Sequence, residues 1–185
     1  MKGLRLLLGI VFLGLAIFMV IGLSLPSEWQ ATAQSDIHAP SEFVFPYINR
    51  LSDWQRWAVW FDHDPEMEIQ FAGPAEGEGA SYTWKGNPSV GDGLVRIQQV
   101  DPGHRVTMVL NMDDGRFVAD GSFQLAQTGE VTSVTWELHG SSGHDPFARY
   151  NRGPLERAVS RTLQDSLEKM KRVLEADFAT PATAP

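Results

Sequence analysis

Five histidines, His38, His63, His104, His139 and His144, are the chain's candidate proton carriers and metal ligands. None pairs with another at the four-residue spacing of a helical metal site, and no H-E-x-x-H stretch occurs. Asp62-His63-Asp64 is the densest group of possible ligands. It stands before Pro65 in a stretch that reads as a solvated loop, and a metal site needs more converging ligands than it offers. The chain has no cysteine, which removes disulfides, zinc–thiolate sites and thiol nucleophiles. No G-x-S-x-G elbow is present, and Gly140-Ser141-Ser142-Gly143 reads as a loop. Gly73, Gly77, Gly79, Gly91 and Gly93 do not match a phosphate-binding loop and read as turns and bulges. Asp120, Glu137 and Arg96 alternate against apolar neighbours, so each is expected on the outer face of a strand. The residues thus point to no cofactor, no metal and no catalytic constellation.

What remains is aromatic. Trp54, Trp57, Trp60, Tyr82, Trp84 and Trp136 are large rings of the kind that line apolar pockets and stack on flat ligands. Ordinary core packing is their competing role. The elements around them decide which.

Leu6 to Leu25 is an apolar run with Gly9, Gly14, Gly22 and Ser24 as mild interruptions. As a helix it covers ~30 Å, a bilayer's hydrocarbon thickness. Lys2 and Arg5 precede it and no Lys or Arg follows until Arg50. The charge bias therefore predicts a transmembrane anchor over residues 1–25, N-terminus cytoplasmic and domain periplasmic or extracellular. A cleaved signal peptide is the alternative, with Ala31-Thr32-Ala33 as the cleavage site. The run is long for a signal, however, and Ala31 to Ile37 reads as the domain's first strand. The net charge of −8 repels phosphate backbones, so nucleic acid is not an expected partner.

Trp29 to Ile37 is predicted as a strand. Ala39-Pro40-Ser41-Glu42 opens a short helical stretch carrying Phe43, Val44, Tyr47 and Ile48, limited to about two turns by Pro46. The three-residue spacing of Trp54, Trp57 and Trp60 predicts one face of a second short helix. From Met67 to His139, six alternating runs are separated by glycine- and proline-bearing turns, the pattern of an antiparallel meander. Three rows fall on its apolar face: Val106, Met108, Leu110 and Met112; Phe117, Ala119, Gly121, Phe123 and Leu125; Val134, Trp136 and Leu138. Pro154 to Phe178 changes to helical period, with Leu155, Val159, Leu163, Leu167, Met170, Leu174 and Phe178 on one side. Glu156, Arg157, Arg161, Asp165, Lys169 and Arg172 are expected on the free side. The small, proline-rich residues 179–185 read as a disordered tail. The fold class is α+β: a curved antiparallel sheet gripping one long C-terminal helix, with space between them.

In order along the chain, Asp36-Ile37-His38-Ala39-Pro40 with Phe43 and Val44, Asp53-Trp54-Gln55-Arg56-Trp57-Ala58-Val59-Trp60, Asp64-Pro65 through Gly73-Pro74, then Gly77, Gly79, Tyr82, Trp84 and Gly91-Asp92-Gly93, and finally Val134-Thr135-Trp136 before the closing helix, resemble the START-like helix-grip superfamily in its polyketide cyclase/dehydrase-like (SRPBCC) branch. The resemblance covers residues 26–178, and Leu25-Pro26-Ser27-Glu28 after the apolar run is similar to its membrane-tethered members. It implies the helix-grip fold but no one reaction, since the superfamily spans lipid carriers, hormone and quinone binders and cyclases.

Three functions stay open. The domain binds a hydrophobic small molecule or lipid; or it is a cyclase-like enzyme needing an acid or base in the cavity; or it docks an envelope protein through exposed tryptophans near Trp57. The expected ligand-binding residues are Tyr82, Trp84, Trp136, Met108, Leu110, Phe123 and Trp57.

Overall fold

A computed structural model describes residues 2–180. The chain opens with α1 (Lys2–Ser24), followed by β1 (Glu28–Ile37), α2 (Ser41–Asn49), α3 (Trp54–Trp57) and α4 (Trp60–His63). Six strands follow: β2 (Glu68–Ala72), β3 (Ser81–Lys85), β4 (Asp92–Asp101), β5 (Arg105–Met112), β6 (Phe117–Thr128) and β7 (Val131–Ser141). Then come α5 (Pro146–Tyr150) and α6 (Arg152–Ala179). The strands form one antiparallel sheet in the order β1-β7-β6-β5-β4-β3-β2, with α6 laid across its concave face. From residue 181 on, the expected disordered tail lies outside the described residues.

Alternation places the three predicted rows on the covered face. Val106, Met108, Ala119, Phe123, Leu125, Val134, Trp136 and Leu138 are buried there against Leu163, Leu167, Met170 and Leu174 of α6. Asp120 and Arg96 face outward and are exposed. Glu137 also lies on the outer side, beside His139.

Two elements differ from the sequence reading. Trp54, Trp57 and Trp60 do not share one helix, because the chain turns extended at Ala58 and restarts in α4. Between β7 and α6 lies α5, which was not expected. Asp145 caps it by accepting from the Phe147 N–H, and Pro146 takes the first turn.

The polar side of α6 is also busier than a solvated face. β1 is an edge strand, and α6 side chains meet its outer backbone groups. Glu156 accepts from Gln30 N at 3.3 Å, Gln164 bonds both Gln34 N and O, Glu175 accepts from His38 N at 2.9 Å, and Lys171 donates to Asp36 O at 2.7 Å. Glu156 and Lys169 are therefore not on a free side; Lys169 holds Asp62 at 2.7 Å. At the far end, Asp177 accepts from Tyr47 and from Arg56, both at 2.8 Å, tying α2 and α3 to α6. The Tyr47 hydroxyl and then Arg56 hold the Asp177 carboxyl below the usual carboxylate range, against the opposing effect of burial.

α1 is long and apolar enough to cross a membrane, and its side chains are exposed along nearly its whole length. It touches the domain at one place. Phe18 stacks on Tyr150 with ring centroids 4.4 Å apart, and Arg149 donates to the carbonyls of Leu23 and, at 3.0 Å, Leu25. The approach needs glycine at position 22, where a Cβ would stand 2.6 Å from the Pro146 side chain.

Candidate ligand cavity

Between the sheet and the first half of α6 lies a cavity of about 280 Å³. Tyr82 and Trp84 of β3, Met108 and Leu110 of β5 and Trp136 of β7 line it, five of the seven residues expected from sequence. The other two sit behind its wall. Phe123 stacks on Trp136 at 4.5 Å, and Trp57 lies 5.9 Å from the same indole. Both are fully buried and support the lining without reaching the space.

Several lining residues were not anticipated from sequence. Met112, Phe117 and Leu138 belong to the apolar rows, and Val159 and Leu163 to the helical stripe, so the signal was present. Trp54 and Trp60, named above for their ring type, also line it, whereas His63 was not legible as lining because the break at Ala58 re-aims α4. Ser89 and Val90 close the mouth from a loop whose shape is built locally. Asn87 Oδ1 accepts from the Ser89 and Val90 N–H groups, and Asp64 accepts from Asn87 N at 2.6 Å. Asp62 and Asp64 thus serve Lys169 and this loop, and do not converge on His63.

The strand register places the cavity at one end of the sheet. Glu28, the first residue of β1, faces Ser141; at the same end Phe117 faces Met112, Met112 faces Gly93 and Gly93 faces Trp84. This is the end from which α1 leaves the domain. Gly93 sets the position of Trp84, whose indole lies against it; a Cβ there would come within 2.5 Å of the ring and 2.7 Å of the Asn111 carbonyl. Gly93→Ala should therefore destabilise the fold by about 1–3 kcal/mol through overpacking and displace the indole. Denaturant melts and near-ultraviolet circular dichroism check this, and unchanged values in both would refute the assigned contact.

Among the described residues, no Asp, Glu, Lys or Arg lines the cavity; Tyr82 and His63 are its titratable residues. Burial pushes the Tyr82 phenol well above the usual tyrosine range, so it stays protonated. The Trp60 indole N–H acts weakly in the other direction without reaching hydrogen-bond geometry. A larger groove of about 450 Å³, lined by Glu68, Lys85, Asp92 and Asp114 together with Trp84 and Leu94, is of mixed polarity and more open to solvent. The apolar, better enclosed space under α6 is the one suited to a small molecule.

The docking surface expected around Trp57 does not form. Trp54 and Trp57 are buried, and Trp60 is half-buried against them, because their rings fill the core beside Phe123 and Trp136.

Solved structures share this architecture. TTHA0849 from Thermus thermophilus superposes with a TM-score of 0.61 at 18% identity, over 80% of this chain and 98% of that one. Ara h 8.0201 does so at 0.59 and 11% identity, over 80% and 99%, and CV1439 from Chromobacterium violaceum at 0.57 and 14%, over 79% and 96%. At such identities the likeness is one of fold. No curated protein matches the chain in sequence. The sheet, the gripping helix and the sequence between them agree in one further respect: residues 28–175 match the family described as polyketide cyclase / dehydrase and lipid transport, and the chain belongs to that family.

Proposed function

We propose that the protein is a membrane-tethered binding module that holds an apolar or amphipathic small molecule between its sheet and α6. The observation that carries this reading is the aromatic-lined cavity without charged walls. Its place at the end of the sheet nearest α1 supports exchange with a bilayer, with α1 as the tether. The N-terminal charges favour a cytoplasmic N-terminus and a domain on the outer side. The family description, which joins cyclases with lipid transport, is compatible with either binding or catalysis. The cyclase-like alternative needs an acid or a base in the cavity. Tyr82, held protonated there, and His63 are the residues it would draw on.

The test uses the full chain in detergent. Native mass spectrometry should detect a co-purifying apolar molecule, and the neutral dye N-phenyl-1-naphthylamine should bind and quench tryptophan fluorescence. Trp84→Ala should weaken dye binding by about tenfold or more while costing less stability than a core tryptophan, because its ring faces open space. No co-purifying molecule and no dye binding would overturn the proposal.

A further inference from the structure

Buried polar atoms in this core are generally partnered. The Trp54 indole N–H donates to the Ile48 carbonyl at 3.0 Å, the Trp57 indole N–H to the Tyr47 carbonyl at 3.1 Å, and the Thr132 hydroxyl to the Ala39 carbonyl at 2.7 Å. Four buried side-chain atoms among the described residues depart from this rule; Asn49 Oδ1 lies apart, and the other three lie together. The Tyr82 hydroxyl, Trp84 Nε1 and Trp136 Nε1 are buried and make no hydrogen bond among the described residues, although the Trp60 indole N–H stands near the Tyr82 oxygen. These residues are 1%, 5% and 2% exposed, and all three line the same cavity. Tyr82 and Trp84 come from β3 and Trp136 from β7, with three strands between them in the sheet. No local turn or cap explains the coincidence.

Their chemistry is of one kind. An indole N–H only donates, and a phenol that stays protonated donates too. A buried donor left unpaired is costly, so native cores seldom hold even one. The same walls carry no permanent positive charge, so they offer nothing to neutralise a carboxylate or phosphate. We infer that the cavity takes a neutral ring-containing molecule bearing carbonyl or ether oxygens, which accept hydrogen bonds from Trp84, Trp136 and Tyr82. The inference rests on the binding-module reading above and adds the ligand's chemical class. A pure hydrocarbon would leave the donors unpaired, and a fatty-acid carboxylate would bring a charge that nothing in the cavity meets. Aromatic walls favour a flat skeleton. Ordered water is the competing partner for these donors.

The experiment compares two probes of one bicyclic skeleton, 1-tetralone and tetralin, on the full chain in detergent, with partition into micelles measured separately. 1-Tetralone should displace N-phenyl-1-naphthylamine with about tenfold higher affinity than tetralin, although tetralin is the more apolar. Its carbonyl stretch should fall in frequency on binding, relative to the same compound in detergent. Tyr82→Phe removes only an unpaired hydroxyl, so it should melt no lower than the wild type. It should nonetheless lose part of the carbonyl shift and several-fold in 1-tetralone affinity. Trp84→Phe should act in the same direction on the shift. Equal affinities for the two probes with an unshifted carbonyl band would assign the donors to water and overturn the inference, while dye binding left the binding module standing. Failure of the dye itself to bind would remove both.

Discussion

Replacing Trp57 with alanine is expected to lower the unfolding free energy by about 3–5 kcal/mol, the range for removing a fully buried large aromatic. The ring is 0% exposed and stands 5.1 Å from Trp54, 5.9 Å from Trp136 and 6.1 Å from Phe123. Alanine would open a void that three rigid rings cannot collapse into, and it would leave the Tyr47 carbonyl without its indole donor. Against a typical total of about 5–15 kcal/mol, the loss should move the denaturant midpoint far enough to read without ambiguity. The same mutant separates two views of this tryptophan. A docking residue on the surface would cost little stability, so a change below about 0.5 kcal/mol would contradict the packing described here.

The second large effect is at the middle of α6. Leu167 is fully buried beneath the helix, and Leu167→Ala should cost about 2–5 kcal/mol. Arg161 projects from the exposed side of the same helix, and Arg161→Ala should stay within about 0.5 kcal/mol. Equal melting shifts for the pair would show that the covered face has been assigned wrongly. Lys169 does not serve as a second control, because its ammonium bridges α6 to Asp62 on α4.

These two positions also show what sequence alone could and could not deliver. Period-two alternation identifies the face of Met108, Phe123 and Trp136, and helical period identifies the face of Leu167. Both are local properties of backbone geometry, and the structure has each of them where the pattern put it. Depth is not local. Phe123 and Trp136 share the covered face, yet only Trp136 reaches the cavity, because Trp54 and Trp57 occupy the volume over Phe123. That is a matter of which rings arrive from another element, and no periodicity within β6 records it. Trp60 shows the converse. A single extended residue, Ala58, ends α3, and α4 then presents the third tryptophan from a new direction. The short α5 did leave a trace in Asp145-Pro146, a cap followed by a first-turn proline, too brief for a periodic pattern to reveal.

The margin of β1 has a consequence for how copies of this protein meet. An open sheet offers two strand edges on which another chain could add, and such addition is the route to runaway aggregation. Here the α6 side chains Glu156, Gln164 and Lys171 occupy several of the backbone groups that an incoming strand would need on β1, and Glu175 holds His38 just beyond it. Only β2, five residues long, closes the other margin. One partly covered edge and one short one both disfavour strand addition. Partial unfolding that lifts α6 would unseal the long edge at the same moment it bares the apolar face of the sheet. Loss of the closing helix is therefore the step that opens this sheet to strand addition.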